Sequence, residues 1–252
     1  MSEARALVET GDVTFTFDWY GQFLDALVAR DRRFRGYDDT LDSGDVLLRH
    51  DVDWSPRNAL ETARIEAQRG VRATYFFLLS SPFYNLFHRR NRRVLAEIHS
   101  LGHDVGLHFS THQYWERRPP EYRLGERVTM EREALSAVVD PIETISFHQP
   151  PEWTLARTFD AFPSTYEPRF FEEIDYRADS RQRWRDEHPL ADGLPDRVQV
   201  LTHPGLWGET DADFEERLAA HADDELDRVR RFIENQYVTK AESVPAFVDR
   251  EF

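Results

Sequence analysis

The sequence predicts an α/β fold built around a parallel sheet. Short apolar runs rich in β-forming residues alternate with helical segments, which is the pattern of consecutive β-α-β units. Five predicted strands are each followed or ended by a His or an Asp. The carboxyl ends of parallel strands meet at one edge of a sheet, where sites in such folds form. We therefore expect one site at that edge and a single domain over the whole chain.

The boundaries follow from periodicity and from start and stop residues. Ser55 before Pro56 is a typical helix start, and Gly70 is a typical stop. Strands are predicted over 46–53, 73–79, 104–109, 143–147, 174–178 and 198–202, and helices over 19–29, 55–69, 89–101, 120–139 and 214–236. Residues 150–168 are predicted to form an irregular loop. Within the single domain 1–252, we expect an N-terminal extension (1–45), a core that carries the motifs (46–207) and a C-terminal helix (208–252).

The composition excludes several classes of function. The chain has 252 residues with 47 acidic and 32 basic side chains, a formal net charge of −15. A field of that sign repels nucleic-acid phosphates and anionic lipids, so neither nucleic acid nor a membrane is an expected partner. No stretch approaches a membrane span, and the first ten residues lack an apolar signal core, so a cytoplasmic protein is expected. Cysteine is absent, so a metal would need His and carboxylate ligands.

Asp51 and Asp53 end the first of these strands. A two-residue step on a strand puts both carboxylates on one face, with Val52 on the other. Two carboxylates at one place repel each other unless a cation or a proton neutralises one of them. The pair therefore indicates a metal or catalytic site. The structural alternative is an ion-paired Asp-x-Asp, with Arg49 as the partner.

His108 and His112 are four residues apart after another strand. If the chain turns helically after Phe109, both imidazoles lie on one face and can bind the same metal. Two His and one Asp form a three-ligand site that leaves positions open for water and substrate, as catalytic sites require. Taken alone, the His pair is weak evidence, and chance placement on the surface would be the favoured interpretation.

Four motifs in order resemble one family. They are Arg-His-Asp-Val-Asp at 49–53, Ala-Thr-Tyr-Phe at 73–76, Gly102 to His108 with His112, and Leu-Thr-His-Pro at 201–204. This order resembles the polysaccharide deacetylases, also called NodB-like proteins or carbohydrate esterase family 4. The similarity covers about two-thirds of the chain and implies a distorted (β/α)7 barrel. The runs around His148 and Asp179 resemble a branch found with surface-polysaccharide genes, sometimes called WbmS-like.

The resemblance implies a role for each motif residue. Asp51 corresponds to the catalytic base, His203 to the general acid, and Asp53, His108 and His112 to the ligands of a divalent metal, most often Zn²⁺. The family has an Arg that orients the base where this chain has His148. We expect His148 to take over that role. We also expect Asp179 to keep His203 protonated, because a nearby carboxylate raises the pKa of a histidine.

These assignments predict a hydrolase for carbon–nitrogen bonds, acting on an acetylated sugar or sugar precursor in surface-polysaccharide metabolism. Trp115, Trp207 and Pro150 are predicted to line the substrate site. Two alternatives stay open at this point. One is hydrolysis of a non-sugar amide, such as a cyclic imide or ureide, on the same scaffold. The other is a carbohydrate-binding relative without turnover, suggested by His148 in place of Arg.

Overall fold

The computed structural model describes residues 11–191 and 193–239. Its centre is a parallel sheet with the spatial order β5-β4-β3-β2-β7-β6, and β1 pairs with the first half of β2. Within the described residues the strands are β1 Arg33–Arg35, β2 Asp45–Val52, β3 Thr74–Leu78, β4 Asp104–Phe109, β5 Ile145–Phe147, β6 Asp175–Ala178 and β7 Val198–Thr202. Every pairing between them is parallel. The predicted α/β class with a parallel sheet is confirmed.

The α-helices of the described chain are α1 Phe17–Val28, α2 Pro56–Ala67, α3 Arg89–Ser100, α4 Glu121–Ser136, α5 Pro168–Phe171 and α6 Phe214–Ile233. Helix α2 begins where its capping residues predict, because the Ser55 hydroxyl accepts a hydrogen bond from the Asn58 N–H. None of the described helices is both long and apolar enough to cross a membrane.

The sheet curls until strands that are not neighbours touch. The Ser146 hydroxyl on β5 lies 3.0 Å from Asp51 Oδ1 on β2, although β3 and β4 lie between the two strands. In a flat sheet these strands would be about 14 Å apart. No pairing joins β5 to β6 among the described strands; instead the Ile145 N–H donates to the carbonyl of Pro163 at 3.0 Å. The sheet is thus an incompletely closed, distorted barrel of seven strands, as the resemblance implied.

The N-terminal extension belongs to the core. Trp19 of α1 stacks on Trp207 with ring centroids 5.8 Å apart, and Phe23 packs on Trp184 at 5.4 Å. This cluster belongs to the hydrophobic core, so residues 11–45 are not a separate appendage. The described residues do not include 1–10, 192 and 240–252. The ends of the predicted single domain and of its C-terminal segment therefore lie outside them.

Candidate active site

The predicted site residues lie at the carboxyl-terminal edge of the barrel. Arg49 and Asp51 face its interior, whereas His50 faces α2 and contacts Glu66 there. Asp53 follows β2 directly, His108 lies on β4, and His148 follows β5. Strand alternation and the curl of the sheet therefore bring together side chains from three separate strands.

Asp53, His108 and His148 form one compact group of possible metal ligands. Asp53 Oδ1 is 3.2 Å from His108 Nε2 and 3.0 Å from His148 Nδ1. The two imidazole nitrogens are 3.3 Å apart. In a tetrahedral site with ligand bonds of about 2.0–2.1 Å, ligand atoms are separated by about 3.3 Å. The three atoms are therefore spaced as they would be around a zinc-sized ion.

The hydrogen bonds around the group also fit a cation. His108 Nδ1 lies 3.2 Å from the Ser146 carbonyl oxygen. A carbonyl can only accept, so Nδ1 carries the proton and Nε2 presents its lone pair to the site. Asp53 Oδ1 is buried and has no well-directed hydrogen bond among the described residues. The donor set of one carboxylate and two imidazoles fits a divalent ion such as Zn²⁺.

His112 does not join this group, which differs from the triad predicted with Asp53 and His108. The chain after β4 is extended at Ser110 and then forms a 3₁₀ turn over Thr111–Gln113 rather than an α-helix. The four-residue spacing therefore does not put His108 and His112 on one face. The side chain of His112 is exposed, and its Nε2 lies 3.0 Å from the carbonyl oxygen of Gln149.

His148 occupies the position expected of a third ligand instead of orienting Asp51. Gln149 has a φ of 44°, the left-handed region that residues other than Gly seldom adopt. This bend follows His148 immediately and turns the backbone before Pro150. His148 Nδ1 thus faces Asp53, and its side chain keeps 22% exposure, so the group is open to solvent on this side.

Arg49 orients Asp51, a role the sequence analysis had expected for His148. Its Nε donates to Asp51 Oδ1 at 3.0 Å, and its Nη2 donates to Oδ2 at 2.8 Å. Arg49 is itself held by the Thr165 hydroxyl at 2.7 Å and the Tyr166 hydroxyl at 2.8 Å. Ser146 Oγ is a further partner of Asp51, at 3.0 Å from Oδ1. The ion pair considered only as a structural alternative is therefore part of the site.

His203 and Asp179 form a second, directly bonded pair. His203 Nδ1 is 2.6 Å from Asp179 Oδ1, and the His203 backbone N–H donates to Oδ2 at 3.0 Å. The indole N–H of Trp207 donates to the same oxygen at 3.0 Å. These contacts fix the orientation of the imidazole. From the sequence, Asp179 is expected near His203 only as the carboxylate that keeps this histidine protonated.

The surroundings shift the pKa values of His203 and Asp51 in opposite directions. Burial opposes the charge on His203, but the Asp179 carboxylate outweighs it and raises the pKa of His203 to about 9. Burial also opposes ionisation of Asp51, yet the charge of Arg49 lowers the pKa of Asp51 below its ordinary value. At neutral pH the site therefore holds an ionised Asp51 and a protonated His203.

The predicted substrate-lining aromatics have different environments. Trp207 is fully buried between Phe15 and Trp19, so the prediction that it lines a substrate site is wrong. Trp115 is half-buried and packs on Tyr114, with ring centroids 5.4 Å apart. Pro150 is half-buried, two residues after His148.

Trp54 is a site neighbour that the sequence analysis missed. Its ring lies parallel to the His203 imidazole with centroids 6.4 Å apart. The sequence feature that could have indicated Trp54 is its position directly after Asp53.

Arg49 also stands out in the sequence, because it is a charged residue inside an apolar run. A buried arginine requires a partner.

No family model matches this sequence, and no curated protein matches it. Solved structures similar to the chain include a family 4 carbohydrate esterase pseudoenzyme from Bacillus anthracis. The two sequences are 14% identical and the structures have a TM-score of 0.42, with the match covering 73% of this chain and 60% of the pseudoenzyme. The chain thus spans about 60% of the length of that protein.

Two further similar structures have related names. A carbohydrate esterase of family 4 from Streptococcus mutans has 16% identity and a TM-score of 0.43, covering 75% of this chain and 82% of that one. The chitin deacetylase of the fungal pathogen Colletotrichum lindemuthianum has 16% identity and a TM-score of 0.42, covering 71% and 81%. At such low similarity, the function of this chain has to follow from its own residues.

Proposed function

We propose that the protein is a metal-dependent hydrolase that removes the acetyl group from the nitrogen of an acetylated sugar. The observation that carries the proposal is the convergence of Asp53, His108 and His148 on one point. A carboxylate held by Arg49 and an imidazole held by Asp179 flank that point. A three-ligand group with a base and an acid beside it is an arrangement that can hydrolyse an unactivated amide.

Asp53, His108 and His148 would hold the ion, for which Zn²⁺ fits best. When bound, such an ion supplies a water of lowered pKa and polarises the carbonyl group to be attacked. One carboxylate among the three ligands leaves the site cationic once the ion is present. The cationic site can therefore stabilise the negative charge that develops on the carbonyl oxygen of the substrate.

Asp51 acts as the base in this proposal. Its carboxylate is ionised at neutral pH and lies 3.8 Å from His108 Nε2, next to the ligand group. It accepts a proton from the attacking water while Arg49 and Ser146 hold its orientation. The same contacts that keep Asp51 ionised also reduce its basicity. Its contribution therefore depends on position more than on a high pKa.

His203 delivers a proton to the departing amine nitrogen. With a pKa raised to about 9 it arrives protonated at neutral pH. Asp179 stabilises the imidazolium and fixes the ring through Nδ1, so that Nε2 is the atom that can donate. Trp54 lies parallel to the ring on one side, with centroids 6.4 Å apart. An acid in this place matters because a free amide ion is too basic to leave on its own.

The test is acetate release from a panel of N-acetylated sugars by zinc-loaded protein. We expect turnover by the wild type and a loss of at least about a hundredfold in Asp51→Asn, since general base catalysis contributes 10²–10⁴-fold. Asp175→Asn, which changes an exposed carboxylate at the start of β6, is the matched control and should keep wild-type activity. Equal activity of Asp51→Asn and the wild type would refute the assigned base. Loss of activity on chelation and its return with zinc would support metal dependence.

A further inference from the structure

A second cleft lies beside the candidate active site, between α2, α3 and α6. It has a volume of about 140 Å³, and its lining includes Arg57, Asn58, Arg90, His221, Arg228 and Arg231. A water molecule takes up about 30 Å³ in the liquid, so that volume corresponds to roughly five water molecules. It is thus large enough for a ligand group such as a phosphate.

The charge of the cleft is opposite to that of the whole chain. Four of its lining residues are arginines, and Asp224 and Glu225 are its carboxylates. Glu225 pairs with Arg228. In the described part of the chain, Arg57, Arg90 and Arg231 have no carboxylate within ion-pair distance. A protein with a net charge of −15 therefore has, in one concave place, more guanidinium groups than carboxylates.

The backbone adds to this field. The first turns of α2 and α3 both contribute to the lining, through Arg57 and Asn58 and through Arg90 and Asn91. Neither first turn contains an acidic residue, although acidic residues are the ones that stabilise a helix N-terminus. Burial lowers the pKa of His88 in the same lining, and the charges of Arg228 and Arg90 lower it further. An anion in the cleft would relieve this repulsion.

The cleft adjoins the catalytic residues through Trp54. This residue directly follows the candidate ligand Asp53, lies parallel to His203 and also lines the cleft. Trp54 is therefore a wall that the cleft shares with the candidate active site. The position favours a charged group carried by the substrate itself.

We propose that the cleft of Arg57, Arg90, Arg228 and Arg231 binds a phosphate or diphosphate group, and that the substrate is an acetylated sugar that carries such a group. The guanidinium groups present paired N–H donors that match phosphate oxygens. The statement about the substrate rests on the proposed deacetylation. The statement about the cleft does not.

Calorimetric titration with inorganic pyrophosphate at low ionic strength tests the cleft. The double variant Arg57→Glu/Arg231→Glu should bind roughly tenfold more weakly than the wild type, since charge reversal removes donors and adds repulsion. The matched control is Arg93→Glu/Arg230→Glu, which lies on α3 and α6 outside the cleft. It changes the net charge by the same amount as the cleft variant does. It should bind as the wild type does. No binding by the wild type, or equal weakening in both double variants, would overturn the proposal.

A turnover assay tests whether the anion belongs to the substrate. N-acetylglucosamine 1-phosphate and free N-acetylglucosamine are compared as substrates. The cleft variant should raise KM about tenfold for the phosphorylated sugar only. An unchanged KM alongside lost pyrophosphate binding would mean that the cleft takes free phosphate, which overturns the substrate assignment. If the wild type binds pyrophosphate but hydrolyses neither sugar, the proposed deacetylation of such sugars fails and the cleft remains supported.

Discussion

Asp51 and Asp53 are two residues apart on the same face but have different neighbours. Asp51 receives two hydrogen bonds from Arg49, a fixed positive charge. Asp53 meets the nitrogens of His108 and His148, which can bind a metal. The sequence predicts that the two carboxylates share a face, because alternation along a strand is local. It does not predict their partners, because those come from strands that are distant along the chain.

Replacing Arg49 with Lys tests its role as the residue that positions Asp51. Lysine keeps the charge but cannot donate two parallel hydrogen bonds. We expect kcat to fall roughly 10- to 100-fold with little change in KM, because a misplaced base affects the chemical step more than binding. The zinc content should stay at the wild-type level. An unchanged kcat in this variant would show that Asp51 needs no such support.

The Asp179–His203 pair predicts the alkaline side of the pH–rate profile. His203, with a pKa of about 9, is active as an acid while protonated, so activity should fall as the pH rises through about 9. Asp179→Asn removes the carboxylate that raises this pKa. The alkaline limb should then move to lower pH, towards the ordinary histidine value of about 6.5. A limb that stays in place would exclude His203 as the titrating acid.

At the scale of elements, the predictions succeeded where a segment carries its own periodicity and caps. Helix α2 and the predicted strands are of this kind. The turn after β4 is different, because the His108/His112 spacing suits an α-helix but the chain forms a 3₁₀ turn over Thr111–Gln113. Short β1 was also not predicted, because three residues that owe their structure to pairing with β2 leave no periodic pattern.

The N-cap of α2 is an element-scale test because this helix starts three residues after Asp53. Ser55→Ala removes the acceptor for the Asn58 N–H and should lower the free energy of unfolding by about 1 kcal/mol. Ser100→Ala on α3, whose hydroxyl donates to the Glu97 carbonyl oxygen at the exposed helix end, should change it by less than about 0.5 kcal/mol. Urea denaturation of both variants measures the difference. Equal effects would show that Ser55 is not a stabilising cap.

At the scale of the whole molecule, a buried carboxylate joins helices to the sheet. Glu66 on α2 is fully buried and lies 2.7 Å from His50 Nε2 on β2. It accepts a hydrogen bond from the Tyr75 hydroxyl on β3 at 2.6 Å and another from Tyr20 on α1. Burial opposes its charge, but His50 and the hydrogen bonds lower the pKa of Glu66 below its ordinary value. The network therefore stabilises the fold as long as Glu66 is ionised.

Glu66→Gln should lower the free energy of unfolding at pH 7 by about 3 kcal/mol, since breaking a buried charged network costs about 3–5 kcal/mol. The folded pKa is lower than the unfolded one. The stabilisation is therefore complete above about pH 4.3 and is lost as the pH falls through the folded pKa. The variant should show a weaker loss of stability on acidification than the wild type. Denaturation curves with equal acid dependence would contradict this.

The central claim is that Asp53, His108 and His148 hold one divalent ion, and metal analysis of two histidine variants tests it most directly. After loading with zinc and removal of excess, the wild type and His112→Ala should each retain about one zinc per chain, because the described position of His112 is outside the ligand group. His148→Ala should lose most of its zinc. Retention of zinc in His148→Ala together with its loss in His112→Ala would contradict the account.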